Sequence, residues 1–218
     1  DCEHTDFGIS ELANMFRAIS ASSALPMVRV ERNDEMAIRR PLDIGACGVI
    51  VPLVHSPEEA RAAVRAAKFP PAGVRGYAYC RANSFGRDFD TYAKIANDEI
   101  LLFVMIESKT PVDNIDSILV VDGVDGVFVG TYDLSGSYGM PGQTRDPIIV
   151  NALHTIVIAA RRHRKIAGIH LVHPTRESVQ AALESGYTFL ALGMDSTFIQ
   201  SAAQDALETV GASRPSST

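Results

Sequence analysis

Two apolar runs that each close on an acidic residue constrain this chain most. Glu99-Ile100-Leu101-Leu102-Phe103-Val104-Met105-Ile106 is apolar from its second residue onward and stops at Glu107. Val124-Asp125-Gly126-Val127-Phe128-Val129-Gly130 is a second run and stops at Thr131-Tyr132-Asp133. Between them, Thr110 to Val121 carries Val112, Ile115, Ile118 and Leu119 at the three- and four-residue spacing of an amphipathic helix. Nearly continuous apolar runs suit strands buried on both faces, as in a parallel sheet covered by helices. Glu107 and Asp133 are 26 residues apart, about one strand–helix–strand repeat. That spacing predicts both acids at one height, at the C-terminal ends of neighbouring strands, where α/β folds bind ligands.

Adjacent carboxylates repel unless a proton or a cation lies between them. A hard divalent ion with oxygen ligands is the simplest answer, and Mg²⁺ or Mn²⁺ is often held by one or two carboxylates plus water and substrate. The other reading of each acid is a cap on the helix that follows its strand.

The rest of the chain repeats the alternation. Ile9–Ile19 reads as a helix with Ser10 as N-cap, and Leu25–Val30 as a strand with Arg29 near its end. Asn33-Asp34 starts a short helix through Arg39, followed by Pro41. Gly48–Val54 is a strand, and Pro57–Ala67 a helix with Pro in its first turn and Glu58 and Glu59 at its positive end. Prolines and glycines interrupt Phe69–Gly76, and the interval to Asp98 reads as a loop plus a helix near Asp90–Ala96. Ser135–Gly142 is glycine-rich but lacks the spacing of a phosphate loop, so it reads as a turn. Pro147–Arg164 is a helix, Ala167–Val172 a strand, Pro174–Ser185 a helix ended by Gly186, Phe189–Gly193 a strand, and Phe198–Val210 the last helix. Residues 1–210 are thus expected to form one domain, and 211–218 a disordered polar tail. The six runs, most of them 22 to 26 residues apart, predict a parallel sheet, either doubly wound or a (β/α)8 TIM barrel. A barrel needs eight strands and usually about 250 residues, so two strands' worth of sequence would be missing before Asp1.

Composition removes several classes of function. Net charge is −6, from 26 acidic and 20 basic residues, with no dense basic cluster for nucleic acid. No apolar run reaches the roughly 18 residues of a membrane span, and no signal peptide is evident. Cys2, Cys47 and Cys80 are too few and too scattered for a disulfide framework or a zinc site, so a reducing, cytoplasmic setting is expected.

Several short segments, in order, resemble one family. They are Asp1-Cys2-Glu3-His4, Pro26-Met27-Val28-Arg29, Val51-Pro52-Leu53-Val54, Pro70-Pro71-Ala72-Gly73-Val74-Arg75-Gly76, Ile106-Glu107, Val124–Gly130 with Asp133-Leu134-Ser135, and Gly193-Met194-Asp195-Ser196-Thr197. Together they are similar to the HpcH/HpaI aldolases, metal-dependent class II pyruvate aldolases on a phosphoenolpyruvate/pyruvate-type TIM barrel. The resemblance implies Glu107 and Asp133 as metal ligands, for Mg²⁺ first and Mn²⁺ or Co²⁺ as alternatives. It implies Arg29 on the keto oxygen of a bound pyruvate unit, and His4 with Asp1 as an acid/base pair. Gly130, Thr131 and Tyr132 would hold the pyruvate carboxylate through the turn ending at Asp133. The implied partners are a 2-keto acid such as pyruvate or oxaloacetate, an aldehyde, and further copies of the chain, a hexamer in this family. The same set is similar to that of macrophomate synthase, so oxaloacetate decarboxylation is an alternative, as is an inactive barrel with a binding role.

Two positions depart from the family pattern. Gly130-Thr131-Tyr132-Asp133 stands where Gly-Pro-x-Asp is common, and Met105 stands where many members have Gln. Both change the shape and polarity of the pocket. His55, His154, His163, His170 and His173 have no partner motif and read as surface or structural, and Arg75 as shaping the floor of a loop.

Overall fold

The computed structural model describes residues 1–212. Its centre is one parallel sheet whose six strands lie in sequence order. They are β1 (Met27–Arg29), β2 (Gly48–Val51), β3 (Leu101–Ile106), β4 (Gly126–Val129), β5 (Ile166–Leu171) and β6 (Phe189–Leu192). The helices are α1 (Ile9–Ile19), α2 (Glu35–Asp43), α3 (Pro57–Ala67), α4 (Phe89–Glu99), α5 (Lys109–Asp113), α6 (Ile115–Leu119), α7 (Thr131–Ser137), α8 (Pro147–Arg162), α9 (Arg176–Glu184) and α10 (Asp195–Ala212). Among the described residues β1 and β6 are the sheet's edges, so the arrangement is an open, barrel-like arc and not a closed eight-stranded ring.

Alternation along each strand sorts side chains between two cores. Val28, Val49, Val51, Leu102, Val104, Ile106, Val127, Val129, Ala167 and Ile169 join the helix-side core. Burying each such branched side chain contributes about 1.5–3 kcal/mol. Phe103, Met105, Phe128 and Phe189 alternate with them on the inner face, where Phe189 packs on Phe103 at 5.0 Å and on Phe128 at 5.6 Å between ring centroids. Gly168 makes room for these rings: a Cβ there would stand 2.7 Å from Phe128 Cδ2 and 2.9 Å from Phe189 Cδ1. Register then fixes the strand ends. Ile106 pairs with Val129, and Val129 with Ile169, which brings Glu107, Gly130 and His170 to one level.

Several boundaries differ from the sequence reading. Gly8, not Ser10, caps α1, and its N–H donates to Glu11 Oε2 at 3.1 Å. α2 continues through Pro41 because only its last turn lacks the proline N–H, and Asp34 holds its start by accepting from Met36 and Ala37. The helix expected over Thr110–Val121 is two short helices parted at Asn114, whose φ is −105° and ψ 11°. The expected turn at Ser135 begins inside α7. Helix α10 takes in Gly211 and Ala212 of the expected tail, and 213–218 lie outside the described residues.

Arg75 shows why Phe69–Gly76 is ordered without regular structure. It is fully buried, donates to Asp43 Oδ1 at 2.8 Å and to Tyr92 Oη at 3.2 Å, and stacks 4.5 Å above the Phe69 ring. It shapes the loop floor, as expected. No helix among the described residues is long and apolar enough to cross a membrane.

Candidate active site

Parallel strands put all their C-terminal ends on one side, and the acids of interest converge there. Glu107 follows β3 directly and is only 5% exposed. Its Oε1 accepts a 2.6 Å hydrogen bond from the Leu53 N–H, just beyond β2. Leu53 presents that N–H from a left-handed backbone, φ +56°. Such a conformation strains a non-glycine residue and is found where surrounding structure imposes it, often at functional sites. Gly130 covers the other side of Glu107, because a Cβ at Gly130 would stand 2.8 Å from Glu107 Cβ and 3.0 Å from Oε2. Met105 is buried beneath, with Cε 3.4 Å from that same point, so it forms part of the apolar floor.

Asp133 is not at the height its spacing suggested. The strand partner of Glu107 is Gly130, and Asp133 stands three residues on, exposed, in the first turn of α7. It is nevertheless close enough to act on Glu107. Burial pushes the Glu107 carboxyl above its ordinary range. The charges of Glu3 and Asp133 push the same way, while the Leu53 N–H and Arg29 pull it back. Neither acid caps a helix: α5 and α7 have no side-chain cap bond, and the Gly130 N–H donates to Ile106 O at 3.2 Å instead of to Asp133. Among the described residues neither acid forms an ion pair with a lysine, arginine or histidine.

Arg29 closes β1 and is gripped by acids. Its Nε and Nη2 donate to Asp1 at 2.9 and 2.5 Å, and Nη1 lies 3.2 Å from Glu3 Oε2. Glu3 Oε2 is buried with no aligned hydrogen bond among the described residues. His4 Nε2 is 3.6 Å from that oxygen, and its side chain is 65% exposed. The expected His4–Asp1 pair is therefore not the pair formed: Asp1 belongs to Arg29, and His4 faces Glu3. Thr131 and Tyr132 begin α7, whose first N–H groups have no acceptor within the helix. Tyr132 is 64% exposed.

Residues 1–202 match the HpcH/HpaI aldolase/citrate lyase family. The chain belongs to this family. It is accordingly a carbon–carbon lyase by class. An Escherichia coli 5-keto-4-deoxy-D-glucarate aldolase is 38% identical over 210 residues, 96% of this chain and 81% of that protein. Among solved structures, an HpcH/HpaI aldolase from Desulfitobacterium hafniense superposes with a TM-score of 0.92 at 31% identity, covering 99% of this chain and 83% of that one. Macrophomate synthase superposes with a TM-score of 0.85 at 26% identity, over 98% of this chain and 75% of that one.

A divalent ion fits the donors of this aldolase-family site. Glu107 Oε1 is taken by Leu53, and Oε2 has no hydrogen bond among the described residues. Two neighbouring carboxylates that form no ion pair among the described residues are a hard-oxygen set suited to Mg²⁺ or Mn²⁺. Among the described residues no cluster of three or more His, Cys, Asp or Glu side chains could hold an ion. Protein alone cannot fill such a coordination sphere, which leaves positions for water and substrate.

Two residues here escaped the sequence reading. Glu3 stands two residues from Asp1 in the Asp1–His4 segment, and that spacing is the one signal that points to it. Leu53 carried no signal, because nothing in Val-Pro-Leu-Val announces a left-handed backbone.

Proposed function

We propose that this chain is a divalent-metal-dependent aldolase that makes or breaks the carbon–carbon bond next to a pyruvate unit. The observation that carries this reading is Glu107, buried, oriented by the Leu53 amide, repelled by Asp133 and Glu3, and without an ion-pair partner among the described residues. The similarity to the E. coli aldolase, whose name specifies a keto-deoxy sugar acid, supports a 2-oxo acid as substrate.

Glu107 and Asp133 would hold the ion, Mg²⁺ first, with Mn²⁺ or Co²⁺ meeting the same donors. When bound, the ion supplies Lewis acidity and a template for the carboxylate and keto oxygens of the substrate. The open N–H groups of Thr131 and Tyr132, next to Gly130, receive the substrate carboxylate. Arg29 offers a fixed positive charge where the enolate oxygen gains negative charge, and Asp1 and Glu3 hold its guanidinium in orientation. His4, exposed and beside Glu3, exchanges the proton of the acceptor hydroxyl, with Asp1 acting through Arg29. The apolar floor at Met105 excludes water beneath the reacting carbon.

Oxaloacetate decarboxylation passes through the same enolate, and the likeness to macrophomate synthase supports it as a second reading. The chain would act as a homo-oligomer. Phe198, Ile199 and Leu207 of α10 are 54%, 71% and 67% exposed, an apolar face suited to a second copy. Incubation of the protein with oxaloacetate, and separately with pyruvate plus an aldehyde panel, tests the reading. Turnover that disappears with a chelator and returns with Mg²⁺ or Mn²⁺ agrees with it. Turnover indifferent to chelator, or none on any 2-oxo acid, removes it.

A further inference from the structure

His170 lies on the strand-end face, and the proposed reaction has not yet used it. It alternates with Ala167 and Ile169, which join the helix-side core, so it shares the inner face with Gly168 and the Phe128–Phe189 rings. Register puts it level with Gly130 and, one strand further, with Glu107. Two strand spacings separate the Glu107 and His170 backbones, roughly 10 Å. The residue between them is Gly130, so β4 sends no side chain of its own between Glu107 and His170, and the Glu107 and Met105 side chains pack against its Cα.

The state of the imidazole follows from its one partner. Nε2 lies 3.1 Å from Gly193 O. A carbonyl can only accept, so Nε2 carries the proton, and in the neutral ring Nδ1 holds a lone pair. No hydrogen bond to Nδ1 is found among the described residues, and the side chain is partly exposed. Gly193 turns the chain from β6 into α10 at φ +67°, so backbone fixes the ring's orientation.

We propose that His170 is a specificity-determining residue: its Nδ1 accepts a hydrogen bond from a hydroxyl on the acceptor aldehyde, on the carbon next to the reacting carbonyl. This rests on the aldolase reading above. A pyruvate unit held by Glu107 at the β3–β4 strand ends has β5 as the next strand, so an aldehyde that meets it on that side comes to His170. A hydroxyl on that aldehyde has a fixed acceptor, whereas a methyl in its place covers Nδ1 and leaves it unpaired.

Glycolaldehyde and propanal test this, because they are of similar size and differ in hydroxyl against methyl. The ratio of their kcat/KM values with pyruvate and Mg²⁺ is measured for the wild type, His170→Leu and His170→Asn. We expect the wild type to favour glycolaldehyde by about 10-fold, the scale of one hydrogen bond. The ratio should fall toward one in His170→Leu and persist in His170→Asn, whose Oδ1 stands near the former Nδ1. A ratio unchanged in His170→Leu, or equally lost in His170→Asn, overturns the proposal. A second readout does not need turnover. In ¹⁵N-labelled protein with Mg²⁺ and pyruvate, the His170 Nδ1 resonance should move upfield on adding glycolaldehyde and not propanal. No movement, or the same movement with both, overturns it as well. If no aldehyde reacts at all, the aldolase reading fails, while the ring-nitrogen response still decides the role of His170.

Discussion

The Leu53 N–H reaches Glu107 Oε1 at 2.6 Å from a backbone with φ +56°, so a strained residue on one strand end orients the buried acid on the next. The left-handed conformation costs an L-residue roughly 1–2 kcal/mol, and glycine escapes it at an unfolded-state entropy cost of about 0.5–1 kcal/mol. The Leu53 side chain is 54% exposed, so little packing is lost on truncation. Leu53→Gly should therefore stay within about 1 kcal/mol of wild type in urea unfolding. Leu53→Val, β-branched at the same φ, should be at least about 1 kcal/mol less stable and bind Mn²⁺ more weakly. Equal stability of the two variants would show that Leu53 carries no strain.

Gly130 is fixed by closeness to Glu107. An alanine methyl would arrive 2.8 Å from Glu107 Cβ and 3.0 Å from Oε2, too close for either to stay. Gly130→Ala is expected to keep its circular dichroism spectrum and lose about 10–100-fold in Mn²⁺ affinity, the usual scale for disturbing a ligand's support. Undiminished Mn²⁺ affinity in calorimetry would mean that the carboxylate is not confined as described.

Arg29 separates charge from geometry. Arg29→Ala should lower kcat for oxaloacetate decarboxylation by about 10²–10³-fold, the scale of one lost oxyanion donor. Arg29→Lys keeps the charge but cannot hold Asp1 through two donors, so its rate should fall between the two. A lysine variant no better than alanine would assign Arg29 to structure alone.

Much of the fold was legible because local chemistry and tertiary packing agree. Helix α3 begins and ends as read, since Ser56, Pro57 and the Glu58–Glu59 pair all mark its start. The strands are found within a few residues, because both faces are buried and the sequence is apolar throughout. The break at Asn114 lies in its backbone angles, which periodicity does not contain, and α2 runs past Pro41 because the missing N–H falls in its last turn. At the site, Glu107, Asp133 and Arg29 could be named, but not their pairing. The register Ile106 to Val129 sets Gly130 beside Glu107 and leaves Asp133 a helical turn away. His170 has no partner legible in the sequence, because its partner is the Gly193 carbonyl, and main-chain acceptors leave no mark in a sequence.

Tyr187 gives a pH test away from the site. It is 4% exposed, its Oη is buried without a hydrogen-bond partner among the described residues, and burial pushes its pKa up to about 12 from 10. The folded state thus favours the neutral phenol more than the unfolded chain does. Its contribution is complete below the unfolded pKa near 10 and is lost as pH rises toward 12. Tyr187→Phe removes the unpaired hydroxyl, so it should be more stable at pH 7 by about 1 kcal/mol and lose less stability between pH 10 and 12. Parallel wild-type and variant curves across that interval would contradict the assignment.

Manganese binding tests the joint grip of Glu107 and Asp133 most directly. Electron paramagnetic resonance counts free Mn²⁺ in titrations of the wild type, Glu107→Gln and Asp133→Asn. Burial raises the Glu107 carboxyl, so its charged form destabilises the fold as pH rises above the ordinary carboxylate range. Glu107→Gln should therefore be more thermally stable than metal-free wild type at pH 7, which shows that it folds. The account predicts one bound Mn²⁺ per wild-type chain and loss of that site in both variants. Mn²⁺ bound equally well by either folded variant, or not at all by the wild type, would contradict it.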